Sequence, residues 1–159
     1  MAAIQYPFTP TGTVGDTQLV HNTAVGLSAL RVAHATYSFA VDGGGAPGLI
    51  TPASNATIPI NAVIYNVAVV VSSDLLAAGG AATIAVGTSA GSAANSLMTA
   101  TNKTSWTASA KFVQGVPVPQ TASTWVKMSA AGSITLTSAT NALTAGVAEI
   151  YVFYIESAS

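Results

Sequence analysis

An all-β sandwich of antiparallel strands is the fold class this sequence predicts, and three observations predict it. Apolar and small polar residues alternate with a period of two in several long stretches. Hydrophobic residues reach 50%, much of it Ala and Val beside many Thr, Ser and Gly, a mixture that favours pleated sheets joined by small turns. Six to eight strand-length runs follow one another at short spacing, with Gly- and Ser-bearing connections between them.

Residues 1–30 carry no sustained periodicity and are punctuated by Pro7, Pro10, Gly12, Gly15 and Gly26, so they read as an extended arm. Residues 31–159 form the sandwich domain. From Arg31 alternation begins. Ala33, Ala35, Tyr37, Phe39 and Val41 share one face, His34, Thr36 and Ser38 the other, and Asp42-Gly43-Gly44-Gly45 closes the strand. The second long strand spans Ala62 to Ser72. There Val63, Tyr65, Val67, Val69 and Val71 share a face opposite Asn66, Ala68 and Val70, and the strand ends in the turn-rich Ser72-Ser73-Asp74 and Gly79-Gly80. Further strands are expected over Ala82 to Val86, Trp106 to Val113, Thr124 to Ala130, Ser133 to Ser138 and Val147 to Glu156. The segment Ala93 to Thr101 reads as a short helix or a covering loop. In the last strand Val147, Tyr151, Phe153 and Ile155 alternate with Ile150, Val152 and Tyr154, so both faces are apolar. Such a strand is central in a sandwich or lines a subunit contact.

Charge limits the chemistry. Only 6% of the residues are charged, four Lys+Arg and five Asp+Glu, against roughly 25% in an ordinary soluble domain. A net charge of -1 leaves no clustered basic patch for nucleic acid or an anionic membrane. Cysteine is absent, so disulfides and thiolate metal sites are excluded. The first residues lack the basic and apolar regions of a secretion signal, and the chain is expected to be soluble and unprocessed.

Catalytic patterns fail one by one. Gly87-Thr88-Ser89-Ala90-Gly91 fits G-x-S-x-G after a strand, but a hydrolase elbow needs a histidine downstream, and His21 and His34 both lie upstream. No Gly-Lys-Ser/Thr phosphate loop is present. His34 sits mid-strand and would need metal-binding partners from other strands or other copies. Asp16, Asp42 and Asp74 stand alone in turn-like settings, where a side chain capping backbone amides is the expected role. Glu149 and Glu156 lie about 23 Å apart along one strand at the usual rise, too far to work as a carboxylate pair. The expectation is a protein without catalytic, cofactor or metal residues. Trp106, Trp125, Tyr37, Tyr65, Tyr151 and Tyr154 remain as recognition candidates, most of them core.

Three phrases bring a family to mind. Ile58-Pro59-Ile60-Asn61-Ala62-Val63-Ile64 precedes a valine-alternating strand. Gly80-Ala81-Ala82-Thr83-Ile84-Ala85-Val86-Gly87-Thr88 follows, and Ala131-Gly132-Ser133-Ile134-Thr135-Leu136 with Leu143-Thr144-Ala145-Gly146 and the aromatic strand to Ile155 closes the chain. In order and spacing these resemble a β-sandwich module of tailed-phage virion proteins, of the capsid decoration, cement or head-fibre type, over residues 50–156. The resemblance implies a jelly-roll-like antiparallel sandwich, a homo-oligomer and often a trimer, placed on the outer surface of an icosahedral phage head against the major capsid protein. It implies a structural virion protein that stabilises the head. The alternative is a head-fibre or adhesion module holding host glycan through loops such as Gly43 to Pro52 or Ala90 to Lys103, which contain no aromatic residue.

The arm is outside the resemblance. Tyr6-Pro7-Phe8-Thr9-Pro10 places two aromatics in a stiff, extended segment, because proline fixes φ and restricts its neighbour. Such a peptide loses less entropy on docking than a floppy one. Tyr6, Pro7, Phe8 and Pro10 are therefore the expected capsid or subunit contacts, with Tyr151 and Tyr154.

Overall fold

The computed structural model describes residues 30–45, 48–90, 97–115 and 126–156. The strands are β1 (Leu30–Ser38), β2 (Gly48–Ile50), β3 (Ser54–Asn55), β4 (Thr57–Ile58), β5 (Ala62–Ala77), β6 (Thr83–Thr88), β7 (Met98–Asn102), β8 (Lys111–Gly115), β9 (Val126–Lys127), β10 (Gly132–Ala139) and β11 (Leu143–Glu156). A helical turn, Phe39–Asp42, follows β1, and a 3-10 turn, Lys103–Ser105, follows β7.

These strands make two antiparallel sheets. A six-stranded sheet has the order β3-β1-β11-β5-β8 with β9 also on β5, and a five-stranded sheet has the order β2-β10-β6-β7 with β4 also on β10. Among the eight longest-paired segments the first strand thus lies beside the last, and the chain changes sheet at almost every connection. That arrangement is the antiparallel all-β sandwich expected from the sequence. One continuous core joins the two sheets: Ala35, Tyr37, Ile64, Val67, Val69, Ile150 and Val152 from the larger meet Ile84, Val86, Ile134 and Leu136 from the smaller. Each fully buried Val or Ile contributes about 1.5–3 kcal/mol relative to exposure.

Sequence expectation and structure part at several places. Of the strand expected over Trp106 to Val113 only the part from Lys111 forms, as β8, because Trp106 closes the 3-10 turn, and of Thr124 to Ala130 the described strand is Val126–Lys127. β1 stops at Ser38, and Phe39 to Asp42 turn into a helical loop rather than continuing the strand. The Asp42 carboxylate drives this by accepting the amides of Ser38 (2.8 Å) and Ala53 (2.7 Å), which fixes the chain end against the segment before β3. Val41 is left exposed, not on the inner face. In β5 the alternation changes phase. Ile64 is buried, while Val63 and Tyr65 face outward with Asn66, because the register with β11 slips between Ile64 and Asn66. Two successive outward residues are the mark of a bulge, and Asn66 Oδ1 accepts the Val67 amide there (2.9 Å). β5 also runs through Ser72-Ser73-Asp74 to Ala77 instead of turning. Asp74 accepts the Ala108 amide, holding the neighbouring loop. Finally, Met98–Asn102 is a strand, with Leu97 and Met98 buried, in place of a helix.

Gly146 permits the irregular pairing at the far end of β5 and β11. Its φ is +126°, and a Cβ there would stand 2.7 Å from Leu75 Cα and 2.8 Å from the Asp74 carbonyl oxygen.

Tyr37 supplies a pH signature. It is fully buried in the core, and its hydroxyl donates to the Gly43 carbonyl (3.1 Å). Burial first, and the Asp42 charge second, push its phenol up to about 12 from the ordinary 10.0. The unfolded chain loses this proton near pH 10 and the folded chain only near pH 12, so the unfolded state binds fewer protons across that window. Stability is therefore complete below pH 10 and falls as the pH climbs toward 12. Thermal melts of wild type and Tyr37→Phe between pH 9 and 12, in roughly half-unit steps, are expected to show a shallower decline in the variant.

Candidate docking face

Five outward residues of β11 are its odd-numbered ones, Val147, Glu149, Tyr151, Phe153 and Ile155, all half-buried. β1 lies on one side and β5 on the other, and their register sets side chains in rows across three strands. Leu30, Ile155 and Val63 form one row; Val32, Phe153 and Asn66 the next; His34, Tyr151 and Ala68 a third; Thr36, Glu149 and Val70 a fourth.

His34 bonds β3 through its backbone, its carbonyl accepting the Ala56 amide (2.9 Å). Its own pairing with Tyr151 is therefore of the non-hydrogen-bonded kind, in which opposing side chains come closest. The two rings accordingly stack at 4.7 Å between centroids and 24° between planes. Tyr151 donates its hydroxyl to Glu149 Oε2. That bond comes first among the causes that raise the Tyr151 phenol above its ordinary value, ahead of burial and the Glu149 charge. Phe153 lies against Tyr65, which the bulge has turned outward, at 6.4 Å.

The face is apolar at one end and polar at the other. Leu30 and Val32 are 62% and 52% exposed, and with Phe153, Ile155, Val63 and Tyr65 they make the apolar end. Around that end charges stay at the rim, while Glu149 lies on the central strand at the polar end. Arg31 and Glu156 pair loosely at 3.4 Å, both half-exposed, Lys127 lies beside Val63, and Lys111 lies beside Val70. An exposed pair of that kind contributes about 0–1 kcal/mol. On the outward side of the smaller sheet, Ala85 and Thr135 are already buried. Among the described residues, the outward side of the six-stranded sheet carries exposed Leu30 and Val32 beside half-buried Phe153 and Ile155.

Of the expected contact residues, Tyr151 sits at the centre of this face. Tyr154 does not. It points the other way and is buried beside the core, its phenol raised by burial and by Glu156 and lowered by Arg31. The alternation in the sequence already separated the two, but both faces of β11 are apolar, so parity alone did not say which was inner. Tyr6, Pro7, Phe8 and Pro10 lie outside the described residues, as do Trp125, Asp16 and His21. Trp106 and Tyr37 are core. Phe153, Val32 and Leu30 are members of the face that residue-type reasoning passed over, whereas Tyr65 was already among the recognition candidates. The signal for the first three was the unbroken pairing of an apolar outer parity on two strands.

Ser89, the centre of the G-x-S-x-G pattern, has a structural task. Its Oγ accepts the Ser133 amide (2.8 Å) and its own amide donates to the Ser133 carbonyl (2.9 Å), which ties the end of β6 to β10. Among the described residues no three of His, Asp and Glu come together as a metal site would need. Glu149 and Glu156 each have a different partner, Tyr151 and Arg31.

The two antiparallel sheets define the class, an all-β sandwich whose larger sheet has an outward face with an apolar end. No family model and no curated protein matches the chain. Solved structures share the fold. A chain of the capsid asymmetric unit of cyanophage Pam1 is 16% identical with a TM-score of 0.56, covering 94% of this chain and 100% of that one. A chain in the acidic stable capsid structure of Helicobacter pylori bacteriophage KHP30 is 11% identical with a TM-score of 0.53, covering 81% and 89%. One in the capsid of Ralstonia phage GP4 is 22% identical with a TM-score of 0.51, covering 81% and 86%.

Proposed function

We propose that this protein is a structural component of a phage virion, a decoration or cement protein that binds the outside of the icosahedral head and stabilises it, acting as a trimer. The observation that carries this reading is the outward face of the six-stranded sheet, whose apolar end sets Leu30, Val32, Phe153 and Ile155 side by side. Its support is the likeness in fold to chains within three phage capsid structures. The major capsid protein is the proposed partner, and the head's outer surface the proposed location.

Energetics fit a clamp built from buried area. A specific contact buries on the order of 1,000 Å² or more, and attachment at several points multiplies weak contacts through effective concentration. An apolar surface is little weakened by salt, since screening acts on exposed charges. Cosedimentation of the purified protein with heads of the source phage lacking it is therefore expected to be saturable and to persist at about 1 M salt. Placing a charge on the face tests the surface itself. Phe153→Asp, outward on β11, is expected to weaken binding by at least about tenfold, since an unpaired carboxylate buried in an apolar contact costs more than 1.4 kcal/mol. Binding by neither protein, or release of wild type at high salt, would overturn the reading.

A further inference from the structure

The polar end of the outward face holds a charge that the chain's own cations do not neutralise. All four Lys and Arg side chains of the sequence belong to the described residues. Arg31 pairs with Glu156, Lys103 donates to the Ala77 carbonyl (2.9 Å), and Lys127 lies beside Val63. Lys111 stands in the same row as Glu149 but on the far side of Val70, and no ion pair joins the two. Glu149 thus sits half-buried on the central strand with a neutral group, the Tyr151 hydroxyl, as its hydrogen-bond partner.

An aromatic wall stands beside this carboxylate. His34 covers the face of the Tyr151 ring that is turned toward β1, with 4.7 Å between centroids and 24° between planes. The opposite ring face is turned toward β5, where the neighbour in the row is Ala68, partly exposed and no larger than a methyl group. Cross-strand neighbours stand about 4.5–5.5 Å apart. Ring and methyl therefore make a step, with Ala68 as its floor, the Tyr151 ring as its wall and Glu149, two residues along β11, at its end.

We infer that this step is an arginine site, taking a guanidinium presented by the protein on which the face docks. A guanidinium is planar and stacks on an aromatic ring, and its fork of N–H donors matches a carboxylate. An ammonium supplies the charge but neither the plane nor the fork. Docking also requires such a partner, because closing the face over Glu149 without a cation would take an unpaired charge out of water. The pair serves specificity more than raw affinity, since it fixes which way round the apolar end lies on its partner. Once enclosed it is screened far less than an exposed pair, in agreement with binding that persists in salt. The inference rests on the reading of this face as a docking surface and adds to it the chemistry of the partner.

The first test needs no phage head. N-acetyl-arginine methylamide, titrated into isotope-labelled protein at constant ionic strength, is expected to shift the Tyr151 ring and Ala68 methyl resonances saturably, with a Kd on the order of 10–100 mM. N-acetyl-lysine methylamide should bind at least about twofold more weakly. Glu149→Gln keeps an oxygen to accept the Tyr151 hydroxyl and should lose most of the response. Tyr151→Leu keeps the carboxylate and should lose the preference for arginine over lysine. No saturable shift, equal binding of the two compounds by wild type, or a response untouched by Glu149→Gln would overturn the site. The second test uses heads of the source phage lacking the protein, to which Glu149→Gln is expected to bind at least about tenfold more weakly than wild type. Wild-type affinity in that variant would overturn the arginine site and leave the virion reading intact. Heads that bind neither protein would overturn the virion reading, and the titration then decides the site by itself.

Discussion

Gly44→Ala is expected to destabilise the protein by about 3 kcal/mol or to prevent folding, at the upper end of what overpacking costs. A Cβ at residue 44 would stand 1.7 Å from the Leu143 carbonyl oxygen and 2.7 Å from its carbonyl carbon. The obstacle is backbone, so no rotamer change relieves it. Separation is also fixed from the other direction, because the Leu143 amide donates to the Gly44 carbonyl (3.2 Å) while Leu143 itself is buried in the core. Residue 44 thus has to sit against the first residue of β11, the strand on which the larger sheet is built. Any retreat breaks that hydrogen bond and moves Tyr37, whose hydroxyl is bonded to the adjoining Gly43. Gly80→Ala is the matched control. It meets nothing within 4 Å, and it should change stability by less than about 1 kcal/mol, with a small gain from the reduced entropy of the unfolded chain. Urea unfolding of the two variants separates the explanations: similar midpoints would mean that the approach of Gly44 to Leu143 does not constrain the fold.

The Asp42-Gly43-Gly44-Gly45 run was legible as the end of a strand, but why three glycines follow was not, because the surface that forbids a side chain at residue 44 comes from Leu143, a long way off in sequence. The same division runs through the whole molecule. Period-two alternation in residues 33–37 reported a real inner face, since β1 pairs with β11 without interruption there, whereas in residues 148–154 both parities are apolar and only the packing of the sheet chose the inner one. Alternation in β5 misplaced Val63 and Tyr65, because valines and tyrosine occupy both phases and only the partner strand decides where the extra residue is absorbed. Met98 to Asn102 lacks alternation, its pairing with β6 being irregular, and small residues hid the strand. The capping roles of Asp42 and Asp74 were legible because a lone carboxylate in a turn has few other tasks. The docking face was half legible. A final strand apolar on both sides marked a candidate face, whereas its neighbours Leu30 and Val32 joined that face only when β1 was laid beside β11.

Trp106→Ala should cost roughly 3–5 kcal/mol, the range for emptying a large aromatic from a core. The residue stands where the chain leaves the smaller sheet for the larger one, just after the 3-10 turn. Its ring is fully buried in the cluster that joins both sheets. The indole Nε1–H donates to Thr101 Oγ1 at 2.7 Å, its amide donates to the Lys103 carbonyl and its carbonyl accepts the Leu75 amide, each at 2.9 Å. The side chain thereby binds β7 to the crossover, while the backbone of the same residue holds the crossover on β5. Small domains are stable by about 5–15 kcal/mol, so this loss removes a third or more of the total in most cases. Trp106→Phe keeps most of the volume and gives up the indole hydrogen bond, and an intermediate loss is expected, with the difference between the two variants reporting the cavity. Denaturant midpoints should fall in the order wild type, Phe, Ala with nearly constant slope, as two-state unfolding of the same surface requires. A cost below about 1 kcal/mol for the Ala variant would mean that the crossover collapses into the space, and that the junction between the sheets does not depend on this ring.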